Sequence, residues 1–180
     1  MEYAVKDCFT LYAPAGSDVF IDRLNSVEKF SVPFIFEEIE GDFVVSALIT
    51  PEFHAFYDSG SILVMESQQR WIKLEFENTD LGYPSIVSVV TDGSSDVCNG
   101  ERLTEKESVY LQILRKGNHW FLHYSIDGKS WEMVRYFELN MQKKVRTGFA
   151  AQSPIGSGTH VTFENVFLGR KAILDFRKGS

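Results

Sequence analysis

Apolar and polar residues alternate along many short stretches of this chain, and the stretch that organises the others runs over residues 120–137. Its two arms are rich in aromatic and β-branched residues, which favour a pleated, half-buried surface. Between them lies Asp127-Gly128, a dipeptide that accepts the positive φ angles of a tight turn. The pattern therefore predicts two β-strands joined in a hairpin.

Residues 71–77 show the most regular alternation in the chain. The even-numbered side chains are apolar, whereas the odd-numbered positions hold Trp71, Lys73, Glu75 and Glu77. Because successive side chains of a strand point to opposite faces, one face of this strand should enter a core and the other should form a polar surface.

Other segments are also predicted to be strands, because β-branched and aromatic residues fill them and turn residues separate them. They are residues 9–22 (interrupted at 14–16), 34–39, 43–49, 61–66, 85–91, 109–114, 145–151 and 159–167. Segments 34–39 and 43–49 flank Gly41-Asp42 and are predicted to pair as a hairpin, and residues 92–100 are predicted to be a loop. Helical periodicity is confined to short pieces near residues 103–107 and 138–143.

Many strands with few helices predict an antiparallel β-sandwich or barrel. The heavy aromatic content, 14% of the residues, suits a dry core between two sheets. We therefore predict an all-β, two-sheet jelly-roll sandwich with a few short helices, formed as a single domain by residues 1–180.

Composition excludes some classes of function. The net charge of −7 argues against nucleic-acid binding, which needs a basic field. No apolar run reaches the ~20 residues of a membrane span, and the first residues lack the pattern of a secretory signal. These features predict a cytoplasmic protein. Cys8 and Cys98 could pair with each other, but two free thiols are the default expectation in a reducing cytosol.

Several motifs together resemble a known family. They are Trp71-Ile-Lys73, Thr91 with Ser95-Asp96, Ser125-x-Asp127-Gly128-x-x-Trp131, Arg135, Ser153-Pro154 and a closing strand at Phe163. This set is similar to a family of concanavalin A-like proteins of unknown function that carries the name "regulation of enolase". The resemblance implies the concanavalin A-like jelly roll over about the whole chain, and it implies little about activity. The chain departs from the family pattern at Val97, where members usually carry Trp.

The polar face of residues 71–77 is the best candidate for a ligand site. A Trp on the polar side of a strand either covers the edge of a core or offers a flat platform for a sugar ring. The residues predicted to bind a carbohydrate or similar small polar ligand are Trp71, Lys73, Glu75, Glu77, Ser95, Asp96 and Arg135.

Catalysis is a second interpretation of the same face. Glu75 and Glu77 have backbones ~6–7 Å apart, within the carboxylate separations that glycoside hydrolysis uses. Lys73 next to Glu75 favours an ionised carboxylate, however, which is the wrong direction for a general acid. No catalytic residue is therefore assigned, and the hydrolase remains an alternative.

Metal and cofactor sites are not predicted. The oxygen-bearing run at Asp92, Ser94 and Asp96 fails the EF-hand template, and such runs are mostly solvated turns. His119 and His123 would lie ~13 Å apart on a strand, too far to share one ion.

Three functional hypotheses remain from the sequence: a non-catalytic module for a polar ligand, a glycoside hydrolase, and an intracellular interaction domain that regulates a metabolic enzyme.

Overall fold

The computed structural model describes residues 8–180. Residues 1–7, where the absence of a secretory signal was predicted, lie outside this range. The strands are β1 (Cys8–Pro14), β2 (Val19–Asp22), β3 (Val27–Phe30), β4 (Phe34–Glu40), β5 (Phe43–Pro51), β6 (Ser59–Ser67), β7 (Arg70–Asn78), β8 (Pro84–Asp92), β9 (Ser95–Arg102), β10 (Val109–Lys116), β11 (His119–Ser125), β12 (Glu132–Glu138), β13 (Lys144–Gln152) and β14 (Gly158–Gly169).

Two six-stranded antiparallel sheets form the sandwich, as predicted. Sheet I has the order β1-β14-β5-β10-β11-β12, and sheet II has the order β4-β13-β6-β7-β8-β9. A separate two-stranded sheet, β2-β3, completes the structure. Residues 8–180 contain no helix, so the short helices expected near 103–107 and 138–143 are wrong. Accordingly, no helix in this range is long and apolar enough to cross a membrane.

The main core lies between the two sheets. Ile72, Leu74 and Phe76 of β7 enter it and are fully buried. Phe9, Phe149 and Phe163 form an aromatic cluster in the same layer, with ring centroids 5.1–5.8 Å apart. This packing explains why apolar residues recur at alternate positions along the central strands.

The segments around Gly41 do not form the predicted hairpin. β4 pairs with β13 in sheet II, whereas β5 pairs with β10 and β14 in sheet I. The chain therefore crosses between the sheets at Gly41, whose φ of +81° suits glycine. A tight turn between two apolar segments is compatible with either topology, which is why the local pattern gave the wrong pairing.

Two further predictions need correction. Residues 92–100 are not one loop, because β9 begins at Ser95 and forms an edge strand beside β8. The hairpin of residues 120–137 exists, with Gly128 at a φ of +71°, but a wide connection separates β11 from β12. Ser125 accepts a hydrogen bond from the Gly128 amide at 2.9 Å and so caps this connection.

Candidate functional site

The outer face of sheet II carries the predicted polar face of β7. Lys73, Glu75 and Glu77 all lie on this face, opposite the core residues, so the predicted alternation is confirmed. In register beside Glu75 lie Ser61 of β6 and Val87 of β8. The face is far less open than the sequence suggested, because other segments cover it.

A buried ion pair forms the centre of this face. The Lys73 Nζ lies 3.1 Å from Glu75 Oε1, and the two side chains are 2% and 1% exposed. Lys73 also donates to Gln152 Oε1 at 2.8 Å, and the Ser59 hydroxyl donates to Glu75 Oε2 at 2.7 Å. A buried charge pair persists only where such additional hydrogen bonds offset its lost hydration, and both partners have them here.

Glu77 differs from its neighbour because its carboxyl has no such partner. The side chain is 8% exposed, and none of the described residues hydrogen-bonds to it. Burial raises the pKa of Glu77 to about 8, and the nearby carboxylates of Glu75, Asp80 and Asp18 act in the same direction, whereas Lys73 opposes them. Glu77 is therefore mainly protonated at neutral pH, and its carboxyl group can both donate and accept a hydrogen bond.

The β2-β3 hairpin forms one wall above this face. Val19 packs with Trp71 and Leu63 in a second apolar cluster on the outer side of sheet II. The Ile21 amide donates to Ser95 Oγ at 3.0 Å, and this hydroxyl lies 2.8 Å from that of Thr91. These contacts hold the hairpin against the sheet.

The opposite wall is built by loops. Asp58 is fully buried and organises residues 52–58, because it accepts hydrogen bonds from the amides of His54 and Ala55. The Ser153 hydroxyl donates to the same carboxylate at 2.7 Å and links this loop to the one after β13. Together these loops place Tyr57 at the edge of the face.

The walls enclose a groove of about 440 Å³ over β7, within the size range of small-molecule sites. We call this space the β7 groove. Its lining combines charged and polar side chains with apolar ones: Asp18, Phe20, Val27, Lys29, Tyr57, Lys73, Glu75, Glu77, Asp80, Val87, Val89, Val97, Asn99, Gln152, Pro154 and Ile155.

The predicted site residues divide into two groups. Lys73, Glu75 and Glu77 meet in the β7 groove. Trp71 is completely buried under the β2-β3 hairpin and its indole Nε1 has no partner. The prediction of Trp71 as a stacking platform is therefore corrected: it belongs to the apolar cluster that supports the groove.

The other predicted residues lie at its margins. Ser95 anchors the hairpin through its bond to Ile21. Asp96 accepts a hydrogen bond from Arg135 Nη2 at 3.0 Å. Because β9 and β12 are edge strands of the two sheets, this pair joins the sheets at one side of the sandwich rather than lining the groove.

Sequence reasoning missed most of the walls. Gln152, Asp18, Tyr57 and Asp80 line the groove although they come from separate connections and strand ends. No local motif joins them, so only the fold brings them together.

Within the described part of the chain, no group of three or more His, Cys, Asp or Glu residues is placed to hold a metal ion. Cys8 and Cys98 are exposed free thiols.

Comparison with known proteins places the chain in a family. The sequence model of a family described as "Protein of unknown function (DUF1349)" matches residues 2–170. The chain belongs to this family. A curated relative, "Regulation of enolase protein 1" from Saccharomyces cerevisiae, is 23% identical over 154 residues, covering 86% of this chain and 77% of that protein. The resemblance deduced from the motifs is thus confirmed.

Solved structures agree on the fold of this DUF1349 member. A functionally unknown protein from Saccharomyces cerevisiae superimposes with a TM-score of 0.87 at 22% identity, covering 96% of this chain and 92% of that one. The carbohydrate-binding module CBM66 from Bacillus subtilis gives a TM-score of 0.54 at 14% identity, covering 76% and 81%. A GH43 protein, BlXynB from Bacillus licheniformis, gives 0.67 at 14% identity, and the match spans 90% of this chain but 32% of that one. These similarities establish the shared β-sandwich.

Proposed function

We propose that this protein is a non-catalytic binding module that holds a small polar ligand, such as a sugar or other polyol, in the β7 groove. The observation that carries the proposal is the buried carboxyl group of Glu77, which has no hydrogen-bond partner among the described residues and lies beside the Lys73–Glu75 pair in a groove large enough for a sugar residue. A buried polar group without a partner is costly, and a ligand rich in hydroxyl groups supplies both the donor and the acceptor with which a carboxyl group can pair.

The mixed lining supports this ligand class. Apolar side chains such as Val87 and Val89 lie beside the charged ones, and Tyr57 stands at the edge. A few placed polar groups among apolar walls are typical of small-molecule sites. The fold shared with a carbohydrate-binding module is compatible with the proposal, although a fold by itself does not define a function.

The environment of Glu75 weighs against the hydrolase hypothesis. One of its oxygens faces Lys73 and the other accepts from Ser59, and the side chain is almost completely buried. A catalytic nucleophile or base needs access to the substrate or to a water molecule. In this arrangement Glu75 serves to hold Lys73.

Calorimetric titration with neutral monosaccharides, oligosaccharides and sugar acids tests the proposal. Asn99 lines the groove on edge strand β9 and is exposed. Asn99→Trp should obstruct the groove and abolish binding. Ile35→Trp is the matched control, because Ile35 lies on the opposite edge strand, β4, and is 49% exposed. Equal binding by both variants, or no binding by the unmodified protein across the panel, would remove the proposal.

A second candidate function is contact with a metabolic enzyme. The name of the yeast relative supports it, and so do apolar side chains exposed at the mouth of the groove, Val97 and Ile155, the latter 63% exposed. Analytical ultracentrifugation with purified enolase tests this candidate. Association that Val97→Ser and Ile155→Ser weaken would support it, and independent sedimentation of the two proteins would exclude it.

A further inference from the structure

The β7 groove is lined by more carboxyl groups than ammonium groups, and this excess of acidic side chains indicates which ligand charge the groove favours. Six titratable or charged groups surround or face Glu77, from every element packed around it. They are Asp18 before β2, Lys29 of β3, Tyr57 of the loop after β5, Lys73 and Glu75 of β7, and Asp80 of the loop after β7.

Both lysines already have carboxylate partners. Lys73 lies 3.1 Å from Glu75, and Lys29 lies 3.5 Å from Asp18. Asp80 lies beside the Tyr57 hydroxyl, whose pKa is raised by burial and by this carboxylate. Glu77 is the buried carboxyl group of the groove that forms neither a salt bridge nor a hydrogen bond with the described residues, because Lys73, the cation that acts on it, is already paired with Glu75.

We infer that the ligand of the β7 groove carries an ammonium group that contacts Glu77, so that the favoured ligand class is an aminated polyol, such as an amino sugar. This inference rests on the proposed function and specifies its ligand. A cation beside Glu77 would supply the missing partner, and the carboxylates of Asp18, Glu75 and Asp80 would favour its approach.

Other ligand charges fit the groove less well. An anionic sugar would meet the carboxylates of Asp18 and Asp80, while Lys73 is already held by Glu75 and Gln152. A metal ion would lie next to the Lys73 ammonium, and the described residues offer no metal-binding group of side chains. Phe20 and Tyr57 in the walls provide aromatic faces, which attract organic cations.

Contact with an ammonium group would ionise Glu77. In the free protein its pKa of about 8 keeps the carboxyl largely protonated at neutral pH. Formation of the ion pair should therefore release close to one proton per bound ligand at neutral pH. The apparent affinity should rise with pH until it levels off near pH 8, as long as the ligand itself stays protonated.

Two pairs of probes test the inference. N-methylglucamine and sorbitol differ at one terminal carbon, which carries a methylammonium group in place of a hydroxyl, and glucosamine and glucose provide a ring-shaped pair. Isothermal titration in two buffers with different ionisation enthalpies gives both the affinity and the number of protons released. We expect each amine to bind at least about tenfold more tightly than its neutral partner, as for a charge-assisted hydrogen bond.

Glu77→Gln should remove both the proton release and the preference for the amine. Glu138→Gln replaces an exposed carboxylate on β12 of the other sheet and should change neither. Folding of both variants is verified by their circular dichroism and urea unfolding.

The possible failures are distinguishable. If glucose and sorbitol bind as tightly as the amines without proton release, or if Glu77→Gln keeps the preference, the inference is wrong and the polyol site stands. Preferential binding of a sugar acid likewise overturns the inference alone. If none of the four probes binds, the inference is wrong, and a blank result across the neutral panel as well removes the proposed function.

Discussion

Replacing Glu77 with Gln should make the fold more stable, and the gain should grow as the pH rises. The substitution keeps the shape of the side chain and removes the ionisable group. Because the pKa of Glu77 is raised from 4.5 to about 8 by burial and by neighbouring carboxylates, the folded protein holds its proton more tightly than the unfolded chain. The native protein therefore has its full stability below pH 4.5 and loses stability as the pH rises towards 8.

The size of this effect follows from the two pKa values. Each pH unit between 4.5 and about 8 weakens the folded state by at most 1.36 kcal/mol, so the full penalty of the ionised form is roughly 5 kcal/mol. Part of this penalty is already present at pH 5, and water that enters the groove when Glu77 ionises reduces it further, so we expect a change of about 2 to 4 kcal/mol between pH 5 and pH 9. Such a change is a large part of the 5–15 kcal/mol that typically stabilises a domain.

Urea unfolding at pH 5, 7 and 9 measures this difference. Trp71 and Trp120 are completely buried, so their fluorescence reports unfolding. The two proteins should have similar free energies of unfolding at pH 5 and diverge by pH 9, while the exposed Glu138→Gln control should follow the native protein. A difference between native protein and Glu77→Gln that does not change with pH would refute the reasoning.

Three further substitutions test the surrounding structure. Lys73→Met should cost about 3 to 5 kcal/mol of unfolding free energy, because it leaves Glu75 buried without a counter-ion. The double variant Lys73→Met/Glu75→Gln should recover most of this loss in urea unfolding. A double variant as unstable as the single one would contradict the pairing. Gly148→Ala should lower the free energy of unfolding by at least about 2 kcal/mol, because the new Cβ would overlap the backbone of β4 at Ile35. Thermal unfolding measures this loss, and an unchanged melting temperature would show that β13 and β4 can move apart to make room. His123→Gln should resist acid unfolding better than the native protein. Burial lowers the pKa of His123 from 6.5, so the native protein loses stability as the pH falls below that value. Parallel acid-unfolding curves of the two proteins would show that His123 does not contribute to this loss.

The sequence predicted the floor of the site because a strand has a strict two-residue period. In residues 71–77 the period separates the core-facing Ile72, Leu74 and Phe76 from the polar side, and the fold keeps that separation. The period does not tell whether the second face meets water or another segment. Trp71 shows that the second face can be covered by another segment, because it packs against Val19 of β2, which is far from it in sequence.

The walls could not be predicted for a related reason. β3 is short and mostly exposed, so it lacks the apolar pattern that marks a strand. The position of the β2-β3 hairpin over sheet II depends on contacts such as that between Ile21 of β2 and Ser95, which are separated by 74 residues. Likewise, Gly41-Asp42 marks a turn, but nothing local indicates that this turn leads from one sheet to the other.

The most direct test of ligand binding in the β7 groove is an NMR titration of isotope-labelled protein with N-methylglucamine and sorbitol. Saturable shifts of the backbone amides of Lys73, Glu75 and Gln152, with little change at Asp96 and Arg135 on the sandwich edge, would agree with the proposed site. Unchanged groove amides, or shifts confined to the Asp96–Arg135 edge, would contradict it.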